Sequence, residues 1–225
     1  ASAPLSPEVH KKFEKTFGVK IIETMGLTET AAQILSNPPN KGKHGSAGKA
    51  YGNEVRVIGD NGAYLSHGNI GELVIKGDNV LLEYFKNEEA TSGAFNEDGY
   101  FLTGDLGVED EEGFFFITGR KKELIIKGGE NISPREIDDT LYKHNAVLEA
   151  CTFGIEDENY GEEISACVFL KDDLVANEKE LLDLCKADLG EYKTPRQIIF
   201  VDKPLPKGPS GKIQRLKIAS QYSRA

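Results

Sequence analysis

The chain has 225 residues, 39% of them hydrophobic and 28% charged, which gives room for one large or two modest domains with a sizeable core. A formal net charge of -10 argues against a general nucleic-acid binder, because neutralising phosphates takes clustered Lys and Arg. No apolar run approaches the ~18 residues of a membrane span. The three cysteines, Cys151, Cys167 and Cys185, form no CxxC pair and have no His-rich neighbourhood, so neither a disulfide framework nor a zinc site is expected and a reducing cytoplasm fits. Cys151 and Cys167 lie in strand-like apolar runs and read as small buried thiols. The N-terminus lacks the pattern of a signal peptide; the chain begins at Ala1 without Met, and its first twenty residues read as the middle of a longer sequence.

In chain order, residues 7–17 are predicted helical, followed by a strand at 19–23 and a loop at 24–30. Residues 36–50, rich in Pro, Gly, Ser and Lys, read as a flexible connector. Short β runs follow at 54–58 and 71–76, with the turn Asp60-Asn61-Gly62 between them. Residues 100–108 and 114–118 form a hairpin pattern around an acidic tip, 109–113. That spacing predicts a small β-barrel or sheet-rich subdomain.

Beyond Arg120 the pattern alternates between α and β. Residues 123–127 read as a strand, and Ser133-Pro134-Arg135-Glu136 has the makings of a capping box that opens a helix over 134–144. Strands are predicted at 147–154, 163–170 and 197–202. A helix capped by Asn177 ends near Gly190, and a Pro/Gly loop at 203–211 precedes a last helix at 213–222.

The polar candidates are individually ambiguous. Residues 42–49 fail the Walker spacing, and so does the loop 207–212, where a lysine at a helix mouth is either a cation for a phosphate or an ordinary loop residue. Thr28 and Glu29 suit a nucleotide phosphate and its magnesium ion, or a solvated loop. Asp105, after Thr103-Gly104, suits the two hydroxyls of a ribose or stabilises its own turn. Arg120 reaches phosphate or ribose, or is a surface arginine. His10, His44, His67 and His144 are dispersed among polar neighbours and carry no catalytic reading.

Five stretches in a fixed order narrow these choices. They are Met25-Gly26-Leu27-Thr28-Glu29, Gly71-Glu72-Leu73-Val74-Ile75-Lys76-Gly77, Tyr100-Phe101-Leu102-Thr103-Gly104-Asp105, residues 119–130 with Pro134-Arg135-Glu136-Ile137, and residues 205–215 ending in Gly211-Lys212-Ile213-Gln214-Arg215. Together they resemble the ANL superfamily of adenylate-forming enzymes, which includes acyl-CoA synthetases, adenylation domains of peptide synthetases and firefly luciferase. The resemblance runs over essentially the whole chain. It implies an α+β fold: residues 1–119 as the end of the large AMP-binding domain, with a β-barrel-like subdomain at about 50–119, then a small mobile α+β C-terminal domain at 120–225.

The family joins a carboxylic acid to ATP, releasing pyrophosphate, and passes the acyl group on, commonly to the thiol of coenzyme A. Carried over by resemblance, Met25 and Gly26 lie at the adenine, Thr28 contacts the α-phosphate and Glu29 holds Mg2+. Asp105 binds the ribose hydroxyls and Arg120 ribose or phosphate. Lys122 is the hinge between the domains, and Gly128-Gly129 let backbone pass close to the pantetheine arm of CoA. Lys212 bridges the carboxylate and the α-phosphate; with Thr28 and Glu29 it makes up the catalytic set. The physical logic is electrostatic, because two anions must meet.

Three departures from the family pattern stand out. Met25 replaces the usual adenine-stacking Tyr. Ile126 stands where related ligases often carry Lys, and Lys127 beside it is expected on the opposite strand face. No Gly-rich phosphate loop ending in Pro-Lys-Gly precedes Thr28. The chain therefore reads as the C-terminal part of a cytoplasmic AMP-forming acid–CoA ligase of the kind found in fatty acid metabolism, inactive without its N-terminal part. An enzyme that loads a separate carrier protein, or a non-catalytic nucleotide- or CoA-binding module, is the alternative.

Overall fold

The computed structural model describes residues 5, 7–31 and 33–222. The chain divides into two compact units, residues 1–121 and 122–225.

The first unit opens with helix α1 (Pro7–Phe17), followed by a three-stranded sheet of β1 (Thr24–Gly26), β2 (Gln33–Ser36) and β3 (Lys49–Ala50). The strand expected at 19–23 is absent, and β1 begins just after it. The cause is local: the amide of Ile21 donates to Glu14 Oε1 at 3.0 Å, which takes that backbone out of any ladder. The segment 36–50, expected to be flexible, is instead a hydrogen-bonded loop. Buried Asn37 donates to Ser46 O (2.6 Å) and accepts from Lys43 N (3.0 Å). Lys43 pairs with Asp110 (2.6 Å) and Glu112 (2.7 Å) at the acidic tip. At its end Gly48 has φ +105, and a Cβ there would lie 2.0 Å from the carbonyl carbon of Ser36.

Four antiparallel strands follow in meander order: β4 (Glu54–Ile58), β5 (Gly71–Lys76), β6 (Phe101–Glu109) and β7 (Phe115–Arg120). The barrel-like subdomain thus takes the form of an open sheet. A one-turn helix, α2 (Glu88–Ser92), is capped by Asn87, whose side chain accepts from Ala90 N. Central strand β5 is buried on both faces. Leu73 and Ile75 join Ile34, Leu35, Val55, Val57 and Phe115 on one side, while Val74 meets Ile58 and Tyr100 on the other.

The second unit is a sheet covered on both faces. Hairpin β8 (Ile125–Lys127) and β9 (Glu130–Ile132) leads into α3 (Pro134–Leu141), the long pair β10 (Val147–Asp157) and β11 (Gly161–Leu170), then α4 (Glu178–Leu189), β12 (Gln197–Val201) and α5 (Arg215–Tyr222). β12 lies parallel to β11, and the other pairs are antiparallel. Alternation along β11 sends Ile164, Ala166 and Val168 into the core with Ile137, Leu141, Leu181 and Cys185. It turns Cys167 to the opposite face, where it packs with Cys151, Phe153 and Ile218. All three cysteines are free and buried. Asn177 and Glu180 exchange hydrogen bonds in a reciprocal cap, and Gly190 closes α4 at φ +81. The capping box expected at Ser133 does not form, because the Glu136 carboxylate is taken by Lys193 at 2.6 Å. The strand expected at 123–127 starts only at Ile125, since Lys121–Glu123 is a 3-10 turn. Among the described residues no helix is long and apolar enough to cross a membrane.

Candidate functional site

In the first unit, Met25 and Gly26 end β1, and Thr28–Thr30 is a 3-10 turn. Thr30 Oγ1 binds Leu27 both ways, accepting from its amide (3.2 Å) and donating to its carbonyl (3.0 Å). That closure leaves Thr28 exposed at the surface of the turn. Met25 is half-buried and packs on the core cluster of Ile34 and Leu35, whereas Gly26 is exposed. Glu29 is held at two points: its carbonyl accepts from Leu81 N (2.7 Å), and its carboxylate accepts from Tyr84 Oη (3.3 Å). Desolvation, reinforced by the Glu29 charge, pushes the Tyr84 phenol up, so it remains a hydrogen-bond donor.

Asp105 and Arg120 face each other across β6 and β7, with Arg120 Nε 2.8 Å from Asp105 Oδ1. The Asp105 side chain is 6% exposed and that of Arg120 39%. The preceding turn is braced from beneath. Thr103 Oγ1 donates to Leu73 O (2.7 Å) and accepts from Asp105 N (3.0 Å). Buried Glu72 accepts from Gly104 N (3.0 Å) and pairs with Lys121 (3.2 Å). Glu72, bonded to Gly104 N, and Tyr84, bonded to the Glu29 carboxylate, were given no role by the sequence. Glu72 lay within a recognised stretch, but nothing in the sequence marked Tyr84.

In the second unit, Lys122 is exposed in the 3-10 turn at the junction. Gly128 (φ +56) and Gly129 (φ +86) form the two-residue connection of the β8–β9 hairpin, with Lys127 opposite Glu130. Two successive positive φ values match a type I′ turn, which favours glycine. Gly128 N donates to Tyr160 O (2.8 Å), while the side of Gly129 where a Cβ would stand is open. Ile126 is 54% exposed and Lys127 is buried, so the two do point to opposite faces. Lys127 pairs with Glu163 at 2.6 Å and sits over the rings of Tyr160 and Tyr192.

Lys212 is exposed, but its backbone is fixed. Its carbonyl accepts from Gly208 N (2.8 Å), and Gln214 N donates to Pro206 O (2.9 Å). Glu149 accepts from Leu205 N (2.8 Å) and pairs with Lys207 at the start of the loop. Three residues past Lys212, Arg215 is anchored in the protein interior. It pairs with Glu123 (3.0 Å) and Asp138 (2.9 Å) and donates to Thr152 O. Burial pushes the Asp138 carboxyl up, Arg215 pulls it back, and the carboxylate holds the guanidinium charged. Among the described residues no carboxylate pairs with Lys212, so the loop presents an uncommitted ammonium on a braced backbone.

The structure therefore joins Asp105 to Arg120 and places Met25, Gly26, Thr28 and Glu29 along one strand and turn. Lys122, Gly128-Gly129 and Lys212 occupy three separate segments of the second unit.

Known proteins identify the family. The profile of the AMP-binding enzyme family matches residues 1–85, and that of the AMP-binding enzyme C-terminal domain matches residues 136–212. The chain belongs to this family, the ANL superfamily of adenylate-forming enzymes, and corresponds to its C-terminal part. It is 49% identical over 220 residues to a sulfoacetate–CoA ligase of Cupriavidus necator, covering 97% of this chain and 43% of the relative. It is 40% identical to an oxalate–CoA ligase of Saccharomyces cerevisiae, over 100% of this chain and 42% of the relative. The ATP-bound crystal structure of MatB from Rhodopseudomonas palustris superimposes with a TM-score of 0.92 at 34% identity, covering 98% of this chain and 44% of that one. The chain thus spans about two fifths of the length of its curated relatives.

Proposed function

We propose that the chain is the C-terminal part of an AMP-forming acid–CoA ligase. A carboxylate oxygen attacks the α-phosphorus of ATP, forming an acyl adenylate as pyrophosphate leaves. The CoA thiol then attacks the acyl carbon, giving a thioester and AMP with loss of the thiol proton. The observation that carries this reading is the Lys212 loop, which holds a cation ready for two anions that must approach each other.

The other roles follow from local chemistry. Asp105, oriented by Arg120, accepts the ribose hydroxyls, and Arg120 reaches ribose or phosphate. Thr28 contacts the α-phosphate. Glu29, steadied by Tyr84, fits Mg2+, which binds through one or two carboxylates together with substrate phosphates. Gly26 gives backbone access beside the adenine and Met25 covers it. Lys122 is the pivot of a mobile small domain, and the open side of Gly129 admits the pantetheine arm beside Gly128.

An N-terminal part of the same enzyme completes the site. Val9, Phe13 and Phe17, at i, i+4 and i+8 on α1, are 51%, 42% and 64% exposed, an apolar stripe suited to being covered by it. The three free, buried thiols support a cytoplasmic setting. Because the two relatives act on sulfoacetate and oxalate, short acids with a second anionic group form the first class to screen.

The test is to incubate the protein, extended to the length of its relatives, with ATP, CoA and a panel of acids. AMP and CoA thioester should form in equal amounts with one class of acid. AMP formation with acylation of a carrier protein but not of CoA, or no acid-dependent AMP at all, would overturn the reading.

A further inference from the structure

His10, Glu14 and His44 belong to none of the motifs of the proposed reaction, and the structure gathers them within the first unit. A nitrogen from each imidazole and a carboxylate oxygen all lie within 4.8 Å of one another. His10 and Glu14 are one turn apart on α1, and His44 comes from the loop before β3. His10 Nε2 stands 3.4 Å from Glu14 Oε1, and His44 Nε2 stands 3.0 Å from Glu14 Oε2. A tetrahedral ion with bonds of about 2.0–2.1 Å separates neighbouring donors by roughly 3.3–3.4 Å; the His10 spacing matches that edge, and the shorter His44 spacing is that of the hydrogen bond it now makes to Glu14.

Two further observations point to a ligand. His10 is 3% exposed, and its Nε2 has no hydrogen-bond partner although it faces the other two donors. Its second nitrogen, Nδ1, lies 3.3 Å from Glu23 Oε2. With Nδ1 donating to that carboxylate, Nε2 would carry the lone pair of a metal ligand, the carboxylate–histidine arrangement common around zinc.

We infer that His10, Glu14 and His44 form a binding site for a divalent transition ion, with Glu23 orienting His10. Two imidazoles and one carboxylate suit Zn2+, Co2+ or Ni2+ and select against Mg2+ and Ca2+, which prefer all-oxygen shells. On binding, the His44–Glu14 hydrogen bond gives way to metal–ligand bonds, and Lys20, 76% exposed and 3.2 Å from Glu14, swings into solvent. The ion would tie α1, the segment around Glu23 and the loop carrying His44 together. This inference is independent of the ligase reading.

The test is titration of the full chain with Zn2+ against a chromophoric chelator, with Co2+ absorption as a coordination probe. The expected result is one ion per chain, a tetrahedral d–d band, and a Tm raised by Zn2+. His44→Gln, at an exposed position, should abolish the band and the Tm shift. Glu23→Gln should weaken affinity about tenfold. His67→Gln and His144→Gln should leave binding unchanged. Absence of stoichiometric uptake, or uptake that survives His44→Gln, would overturn the site.

Discussion

Asp105 and Arg120 are register partners across β6 and β7, and their side chains meet at 2.8 Å. The arginine thereby fixes the carboxylate's rotamer before any ligand arrives, and less orientational entropy is lost on binding. In the extended protein, Asp105→Ala should raise the KM for ATP by roughly 10–100-fold, the loss of a charged hydrogen-bonding group worth about 1.5–3 kcal/mol. The KM for the acid should change little. Steady-state kinetics with each substrate varied in turn checks this; equal effects on both would place Asp105 outside the nucleotide site.

Arg215 brings the end of the Lys212 loop into the interior through Asp138 and Glu123. Arg215→Ala leaves two carboxylates without their cation and should cost about 3–5 kcal/mol. Denaturant unfolding of the second unit should show it. Loss of less than about 1 kcal/mol would mean that the pair contributes little more than an exposed ion pair does.

The buried thiols set an alkaline limit on stability. Burial pushes Cys167 and Cys185 from 9.0 up to about 11, and Cys151 upward as well. Their folded pKa values are raised, so between pH 9 and 11 the unfolded chain gives up protons that the folded chain keeps. Stability is undiminished below the unfolded pKa and falls as pH rises through that window. Unfolding free energy measured from pH 8 to 11 should decline, and Cys167→Ala with Cys185→Ala should flatten the decline. At pH 8 the native thiols should react with a thiol reagent only at the rate of unfolding.

Gly128→Ala tests the hairpin turn. A Cβ at φ +56 would lie 3.1 Å from Tyr192 Oη, so the substitution should cost about 1–2 kcal/mol of left-handed strain. Gly129→Ala carries left-handed strain too, at φ +86, but meets no neighbour, so it should cost less by the contact that Gly128→Ala makes with Tyr192. Equal costs measured by denaturant unfolding would contradict the packing difference.

Much of this architecture was legible in local sequence. The helix over 7–17 and the strands over 54–58 and 71–76 match the structure residue for residue, because apolar periodicity and flanking turn residues agree there. The Asn177 cap and the Gly190 stop were equally plain. What escaped was set by distant partners. The amide of Ile21 is claimed by Glu14, Glu136 by Lys193 rather than by its own helix start, and Asn37 turns a Gly-rich connector into a fixed loop. The β9 strand, Glu-Asn-Ile, has no β signature and exists because Gly128-Gly129 fold it back on β8. Of the site, Asp105, Arg120 and Lys212 were visible as residue types in an ordered set of motifs. Tyr84 and the meeting of His10 with His44 depend on tertiary placement that no local pattern encodes.

Lys212 is proposed to serve the adenylate-forming step. The most direct measurement compares the two half-reactions of the extended protein and its Lys212→Ala variant: acid-dependent pyrophosphate exchange into ATP, and thioester formation from CoA and a supplied acyl adenylate. Exchange should fall by about 10²–10³-fold, the usual effect of removing one group that stabilises transition-state charge. Thioester formation should stay within a few-fold of wild type. Equal loss in both half-reactions, or exchange at the wild-type rate, would contradict the assignment.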